Sequence, residues 1–227
     1  ISRVISLDGI FYKSEFNGDI SRWDTSNVCS LKNTFEGSKF NGDISNWNTS
    51  KVQSMEGCFS QSAFNGDISN WDTSNVTDMG TMFYQSQFTG DISRWDTSKV
   101  RSMDRMFEHS PFYGYISEWD VHQVINMTYM FKNCPFRGNI SRWDVANLEY
   151  AYGVFTSFQD NLLGYLGVLQ NEYALPEDFT RAAQFHQVRA LAEGLGLDPM
   201  GTARFIAREM HKPELVLDLS ISLDFSS

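Results

Sequence analysis

Paired cysteines are missing. The chain holds three, Cys29, Cys58 and Cys134, an odd count with no CxxC spacing, which excludes a disulfide framework or a cysteine zinc cluster and leaves small buried apolar residues as the reading. Long apolar runs are missing too, since nothing approaches the roughly 18 consecutive apolar residues of a membrane span. Basic residues are scarce: 18 Lys and Arg stand against 28 Asp and Glu, for a formal net charge of −10 and a pI near 4.8. Phosphate backbones require clustered Lys and Arg, so nucleic acid is not the expected partner and cationic or neutral partners are favoured. His109 and His122 have no Ser, Cys or Asp partner at a recurring spacing, and no nucleophile and base recur together. A non-enzymatic protein with no cofactor and no metal is expected.

What is present is one sentence of sequence, repeated, clearest from Phe64 to Phe83 as FNGDISNWDTSNVTDMGTMF. The six tryptophans are Trp23, Trp47, Trp71, Trp95, Trp119 and Trp143, always 24 residues apart. A phenylalanine opens each unit (Phe16, Phe40, Phe64, Phe88, Phe112, Phe136) and another closes its second half (Phe35, Phe59, Phe83, Phe107, Phe131, Phe155). The aromatic content of 15% is a product of this repetition. A constant period without insertions marks stacked supersecondary units, none of which can bury its apolar face alone. Ser2 aligns with Ser26, Val4 with Val28 and Leu7 with Leu31, so the sequence opens inside a repeat. It has no signal-peptide pattern at its start, and the protein is expected to begin upstream.

Within a unit, Ile68 to Thr73 is rich in β-formers and follows the turn Asn65-Gly66-Asp67, so it reads as a short strand. The glycine column (Gly18, Gly42, Gly66, Gly90, Gly114, Gly138) is expected to supply positive φ in that turn. Thr73 and Ser74 are helix-capping types, and Val76, Met79, Met82 and Phe83 recur at helical spacing, so about two turns of helix are expected next. The methionines of this face read as core filling. The expected fold class is an α/β solenoid: a leucine-rich-repeat-like right-handed coil with short parallel strands and short helices, plus a helical C-terminal cap with one strand.

The repeat resembles that of BspA-type leucine-rich-repeat-like bacterial surface proteins, whose units carry G-D-I-S-x-W-D-T-S-x-V-x-x-M-x-x-M-F. The resemblance covers residues 1–159. It implies a leucine-rich-repeat-like coil and a role in adhesion or recognition at the cell surface or after secretion, without implying a ligand. The late units depart from the pattern, with Gly114-Tyr115-Ile116-Ser117 and Gly138-Asn139-Ile140-Ser141 for GDIS, and Val121-His122 and Val145-Ala146 for Thr-Ser. These coils are read as approaching a cap.

If Trp71 and Thr73 point inward, Asn70, Asp72 and Ser74 point out. One outward column is nearly all acidic: Asp24, Asn48, Asp72, Asp96, Asp120, Asp144. Like charges in register repel, so something must compensate. Arg22, Arg94 and Arg142 could pair with Asp24, Asp96 and Asp144. Each Asp could instead accept backbone N–H bonds from the turn that follows it. Or the column could be a ligand surface for cations or a basic protein. A second acidic column, Asp19, Asp43, Asp67 and Asp91, sits in a turn where local bonding is expected. The serine column (Ser21, Ser45, Ser69, Ser93, Ser117, Ser141) reads as a polar ladder satisfying backbone groups between coils.

Beyond Phe155 the period fails, and residues 160–227 are expected to form a mostly helical capping region that ends in an amphipathic strand. Helices are expected after Leu175-Pro176-Glu177 and Asp198-Pro199. Leu191 to Arg208 is similar to a helix-turn-helix, with Arg204 and Arg208 one turn apart, but the basic footprint of a DNA reader is missing. Residues 214–225 alternate apolar and polar, which suggests packing on those helices or self-association.

The favoured function is recognition or adhesion: binding a macromolecular partner through the outward face, with Arg22, Asp24, Asp72, Arg94, Asp96, Glu118, Asp120, Arg142 and Asp144 as the binding residues. The alternative is an intracellular regulator or inhibitor whose acidic ladder binds a basic protein site, with the C-terminal region as a helix-turn-helix-like or dimerising element. A cytoplasmic location goes with that alternative.

Overall fold

A computed structural model describes residues 3–138, 140 and 142–155. The expected C-terminal helices, the helix-turn-helix-like stretch and the strand over 214–225 lie outside these residues.

The described chain returns to the same place every 24 residues. Six parallel bridges, each a single residue pair, run Ser6 to Ser30, Ser30 to Ser54, Ser54 to Asp78, Asp78 to Ser102, Ser102 to Asn126 and Asn126 to Tyr150. At each bridge the chain changes the coil it donates to: Thr77 N–H donates back to Gln53 O at 2.8 Å, and Met79 N–H donates forward to Ser102 O at 3.0 Å.

The expected secondary structure is overturned, and with it the leucine-rich-repeat-like α/β class built on short helices and strands. Among the described residues there is no helix, and the only strand-like pairing is those isolated bridges. A tight turn occupies the expected strand, closed by Trp71 N–H to Ile68 O at 3.1 Å, and a second follows it, closed by Val76 N–H to Thr73 O at 2.9 Å. In the expected helix the N–H groups go elsewhere. Met79, Thr81, Phe83 and Gln85 donate to Ser102, Asp104, Met106 and Glu108 of the next coil, while Met82, Tyr84 and Ser86 donate three residues back to Met79, Thr81 and Phe83. An α-helix needs these donors four residues back. Left-handed residues at Thr81 (φ 52°) and Gln85 (φ 50°) enforce the alternation, and the same two positions are left-handed at Gly9 and Lys13, Asn33 and Gly37, Gly57 and Gln61, Arg105 and His109, and Tyr129 and Asn133.

The core is a set of single-residue columns. Trp47, Trp71, Trp95, Trp119 and Trp143 are buried, as are both phenylalanine columns from Phe35 onward and Met55, Met79, Met82, Met103, Met106, Met127 and Met130. Phe35, Phe59, Phe83, Phe107, Phe131 and Phe155 stack with centroids 5.5–5.8 Å apart, and Trp47 lies over Trp71 at 6.4 Å and 1°. Such offset stacks add to what burial alone contributes. The glycine column serves this packing and not a positive φ: a Cβ on Gly66 would sit 2.9 Å from the Phe64 ring, and its φ is not in the left-handed region. The three cysteines are free thiols; burial raises the pKa of Cys58 strongly and that of Cys134 to about 12.

The threonine column, and not the expected column of Ser21, Ser45, Ser69 and Ser93, bonds between coils here. The buried Thr25, Thr49, Thr73 and Thr97 donate their hydroxyls to Asn48 O, Asp72 O, Asp96 O and Asp120 O at 3.1, 3.0, 2.9 and 2.8 Å.

Candidate functional site

The turn after each tryptophan fixes the acidic column. Inward Trp71 and Thr73 hold Asp72 outward between them, and its Oδ1 accepts the N–H of Ser74 at 3.0 Å and its hydroxyl at 2.6 Å. Asp24 does the same with Ser26 (3.1 and 2.6 Å), and Asp96 with Ser98 (3.0 and 2.6 Å). Asn48 makes the equivalent pair with Ser50 at 3.1 and 2.7 Å. Asp120 accepts the N–H of His122 at 3.1 Å and lies 2.7 Å from its Nδ1, and Asp144 accepts the N–H of Ala146 at 3.1 Å. Each carboxylate thus compensates its charge within its own turn.

At Asp24, Asp72 and Asp120 these bonds stabilise the charged form. The Ser26 hydroxyl, then its N–H, lowers the pKa of Asp24; Ser74 does the same for Asp72, and the His122 side chain followed by its N–H does so for Asp120. Local bonding uses one oxygen of each carboxylate. Among the described residues the second oxygen of Asp24, Asp72 and Asp96 has no protein partner.

The arginines do not pair along the strand direction. Among the described residues no ion pair joins Arg22 to Asp24, Arg94 to Asp96 or Arg142 to Asp144. Arg142 instead reaches Glu118 of the preceding coil at 3.6 Å, and Arg22 and Arg94 help to lower the pKa of Asp19 and Asp91. All nine residues singled out from the sequence, Arg22, Asp24, Asp72, Arg94, Asp96, Glu118, Asp120, Arg142 and Asp144, are exposed.

The second acidic column behaves likewise. Asp19, Asp43, Asp67 and Asp91 each accept the N–H of the serine two residues on at 2.9 Å. The serine hydroxyls follow their own aspartates, at 2.7 Å for Ser21 and Ser45, instead of bridging coils. The expected serine ladder is therefore a row of local caps.

Sequence reasoning missed a buried charge. Glu108 is only 2% exposed, and its carboxylate takes Arg105 Nη1 at 2.8 Å and Lys132 Nζ at 3.0 Å. Arg105 and Lys132 also stand over the Tyr129 ring at 4.7 and 4.3 Å. The available signal was the column Gly9, Asn33, Gly57, Thr81, Arg105, Tyr129, whose glycines reveal a left-handed position that the later coils fill with side chains.

Among the described residues no helix is long and apolar enough to cross a membrane, and no group of His, Cys, Asp and Glu is arranged to hold a metal ion. No curated protein and no solved structure is found to match the chain. The chain does match the family described as "Mycoplasma protein of unknown function, DUF285", over residues 5–111 and 86–189. It belongs to that family, which is in general a BspA-like repeat family.

Proposed function

We propose that this DUF285 protein is a non-enzymatic recognition protein that binds a macromolecular partner along its exposed turn columns and works at the cell surface or after secretion. The observation that carries this reading is the state of the acidic column. Its aspartates are exposed and held by their own turns, and they recur in a 24-residue register, each backed by a buried tryptophan or threonine; at Asp24, Asp72 and Asp120 the turn bonds favour the charged form. A charge row on a preorganised scaffold loses little freedom on binding, which is how a repetitive surface of modest contacts gains affinity. Arg22, Arg94, Glu118 and Arg142 supply the neighbouring row, so the surface presents both signs in a fixed order.

The test uses the chain's own precedent. Asn48 already occupies the column and keeps both bonds to Ser50, so the triple variant Asp72→Asn, Asp96→Asn, Asp120→Asn removes charge while preserving the turns. In pull-downs from host extract the wild type is expected to capture a partner that the variant loses, with the melting temperatures of the two alike. Equal capture by both proteins would remove the column from the binding surface.

A further inference from the structure

The coil spanning residues 102–125 ends the aspartate column and places a tyrosine beyond the end of an asparagine column. In the coils before it, an asparagine column ties neighbours together: Asn17, Asn41 and Asn65 accept through Oδ1 the N–H of Asn41, Asn65 and Thr89 at 2.9, 2.8 and 2.8 Å. Two positions further on, Asp43, Asp67 and Asp91 cap the serines that follow them at 2.9 Å. The corresponding residues here are Tyr113 and Tyr115. Ser117 follows a tyrosine where Ser93 follows the capping Asp91. The chain gains only exposure: Tyr113 is 68% and Tyr115 83% solvent-exposed, on either side of Gly114. Two bare aromatic rings, one of them standing where earlier coils carry a capping aspartate, are an interaction feature and not a packing one.

The surroundings decide the sign of what these rings take. Tyrosine faces attract cations, most strongly the planar guanidinium, and this protein already makes that contact with Lys13 over Tyr12 at 4.9 Å and Arg105 over Tyr129 at 4.7 Å. In the 24-residue register Tyr115 continues the column Asp19, Asp43, Asp67, Asp91, whose carboxylates stay charged because their serines bond to them. On the other side, exposed Arg137 follows Tyr113 in the next coil.

We propose that Tyr113 and Tyr115 anchor a docking surface for an arginine-rich segment of a partner protein, with the aspartate column ending at Asp91 as its flank. The two rings give position and preference for arginine, and the carboxylates give attraction. This surface uses none of the residues of the turn column at Asp72, Asp96 and Asp120, so each reading can fail without the other.

The test restores what the other coils carry. The double variant Tyr113→Asn, Tyr115→Asp of the full chain gives both positions the residue types of the earlier coils and adds one negative charge. Its melting temperature should match or exceed that of the wild type. Binding of a fluorescein-labelled nona-arginine peptide, followed by anisotropy at about 150 mM salt, should weaken by about fivefold or more on loss of two cation–π contacts. Nona-lysine should bind the wild type more weakly than nona-arginine. If charge alone attracts the peptide, the variant will bind it as well or better, and the proposal fails. It fails equally if cellohexaose or a nona-glutamate peptide binds the wild type and is lost in the variant, which would assign the rings to a sugar or an acidic partner.

Discussion

The indole Nε1–H of Trp95 donates to the carbonyl oxygen of Ile68 at 3.1 Å, across 27 residues of chain. Trp47, Trp71, Trp119 and Trp143 make the same bond to Ile20, Ile44, Ile92 and Ile116 at 3.1–3.2 Å. The tryptophan column therefore fills the core and also satisfies the turn carbonyl of the preceding coil. That carbonyl already receives the N–H that closes its own turn, as Trp71 N–H does with Ile68 O at 3.1 Å. The same oxygen thus joins the turn of one coil to the ring of the next.

Trp95→Ala removes a fully packed ring and this bond together. Chemical denaturation should show a loss of about 3–5 kcal/mol. A loss under about 1 kcal/mol would mean that the ring is not part of the packed column. Trp95→Phe keeps most of the stack and gives up the bond, so its cost should fall well below that of the alanine variant.

The left-handed column predicts opposite signs for two substitutions at equivalent positions. Thr81 is β-branched at φ 52°, a conformation that costs about 1 kcal/mol or more for such a residue. Thr81→Gly should therefore raise stability by up to about 1 kcal/mol. Gly57 has φ +63° and a Cβ there would fall 2.1 Å from Asn33 Oδ1. Gly57→Thr should destabilise, and paired melting curves of the two variants check the prediction.

Glu108 pairs with both Arg105 and Lys132 at a buried point, and both cations keep part of their side chains in solvent at 41% and 29% exposure. Glu108→Gln should cost roughly 2 kcal/mol, less than for a fully buried pair because the stranded cations can turn to water. The replacement also weakens the hold on the Tyr129 ring, so the fluorescence of Tyr129 and its neighbour Tyr152, 5.2 Å away by ring centroid, should report the change in a tryptophan-independent difference spectrum.

The capped aspartates set the acid limb of stability. Asp19, Asp24, Asp43, Asp67, Asp72, Asp91 and Asp120 all have folded-state pKa values below the ordinary 3.8, owing to hydrogen bonds from the residue two positions on. The unfolded chain then binds more protons than the folded one between the two values, so stability rises with pH through that window. The stabilisation is present above pH 3.8 and is lost as pH falls through the folded values. Urea midpoints measured from pH 6 to pH 2.5 should drop below about pH 4. The Asp72→Asn, Asp96→Asn, Asp120→Asn protein should show a shallower drop, because two of the titrating caps, at Asp72 and Asp120, are gone.

The period, the buried columns and the outward place of Asp72 were legible because each is carried by one residue type at a fixed spacing. Trp71 and Thr73 in, Asp72 out, follows from alternation alone, and the exposed Asp24, Asp96 and Asp120 follow from the period. The local structure was not legible. Val76, Met79, Met82 and Phe83 have the spacing of a helical face, but the same spacing arises when alternate residues bond to the next coil and the rest close turns. Those two arrangements bury the same side chains and differ only in where the N–H groups go. The substitution of Tyr115 for the aspartate of earlier coils was visible too, yet read as the approach to a cap; its meaning depends on how far the ring stands in solvent.

By itself, then, the sequence determined the 24-residue register, the composition of the core and the sign of the surface, since all three are properties of columns. Tertiary structure alone decided that Thr81 and Gln85 turn left-handed, that Met79 N–H finds Ser102 and not a helical carbonyl, and that each aspartate spends one oxygen on its own turn. The physical reason is that a backbone donor or a carboxylate lone pair has several acceptable partners within reach of its local sequence, and only the position of the neighbouring coil selects among them.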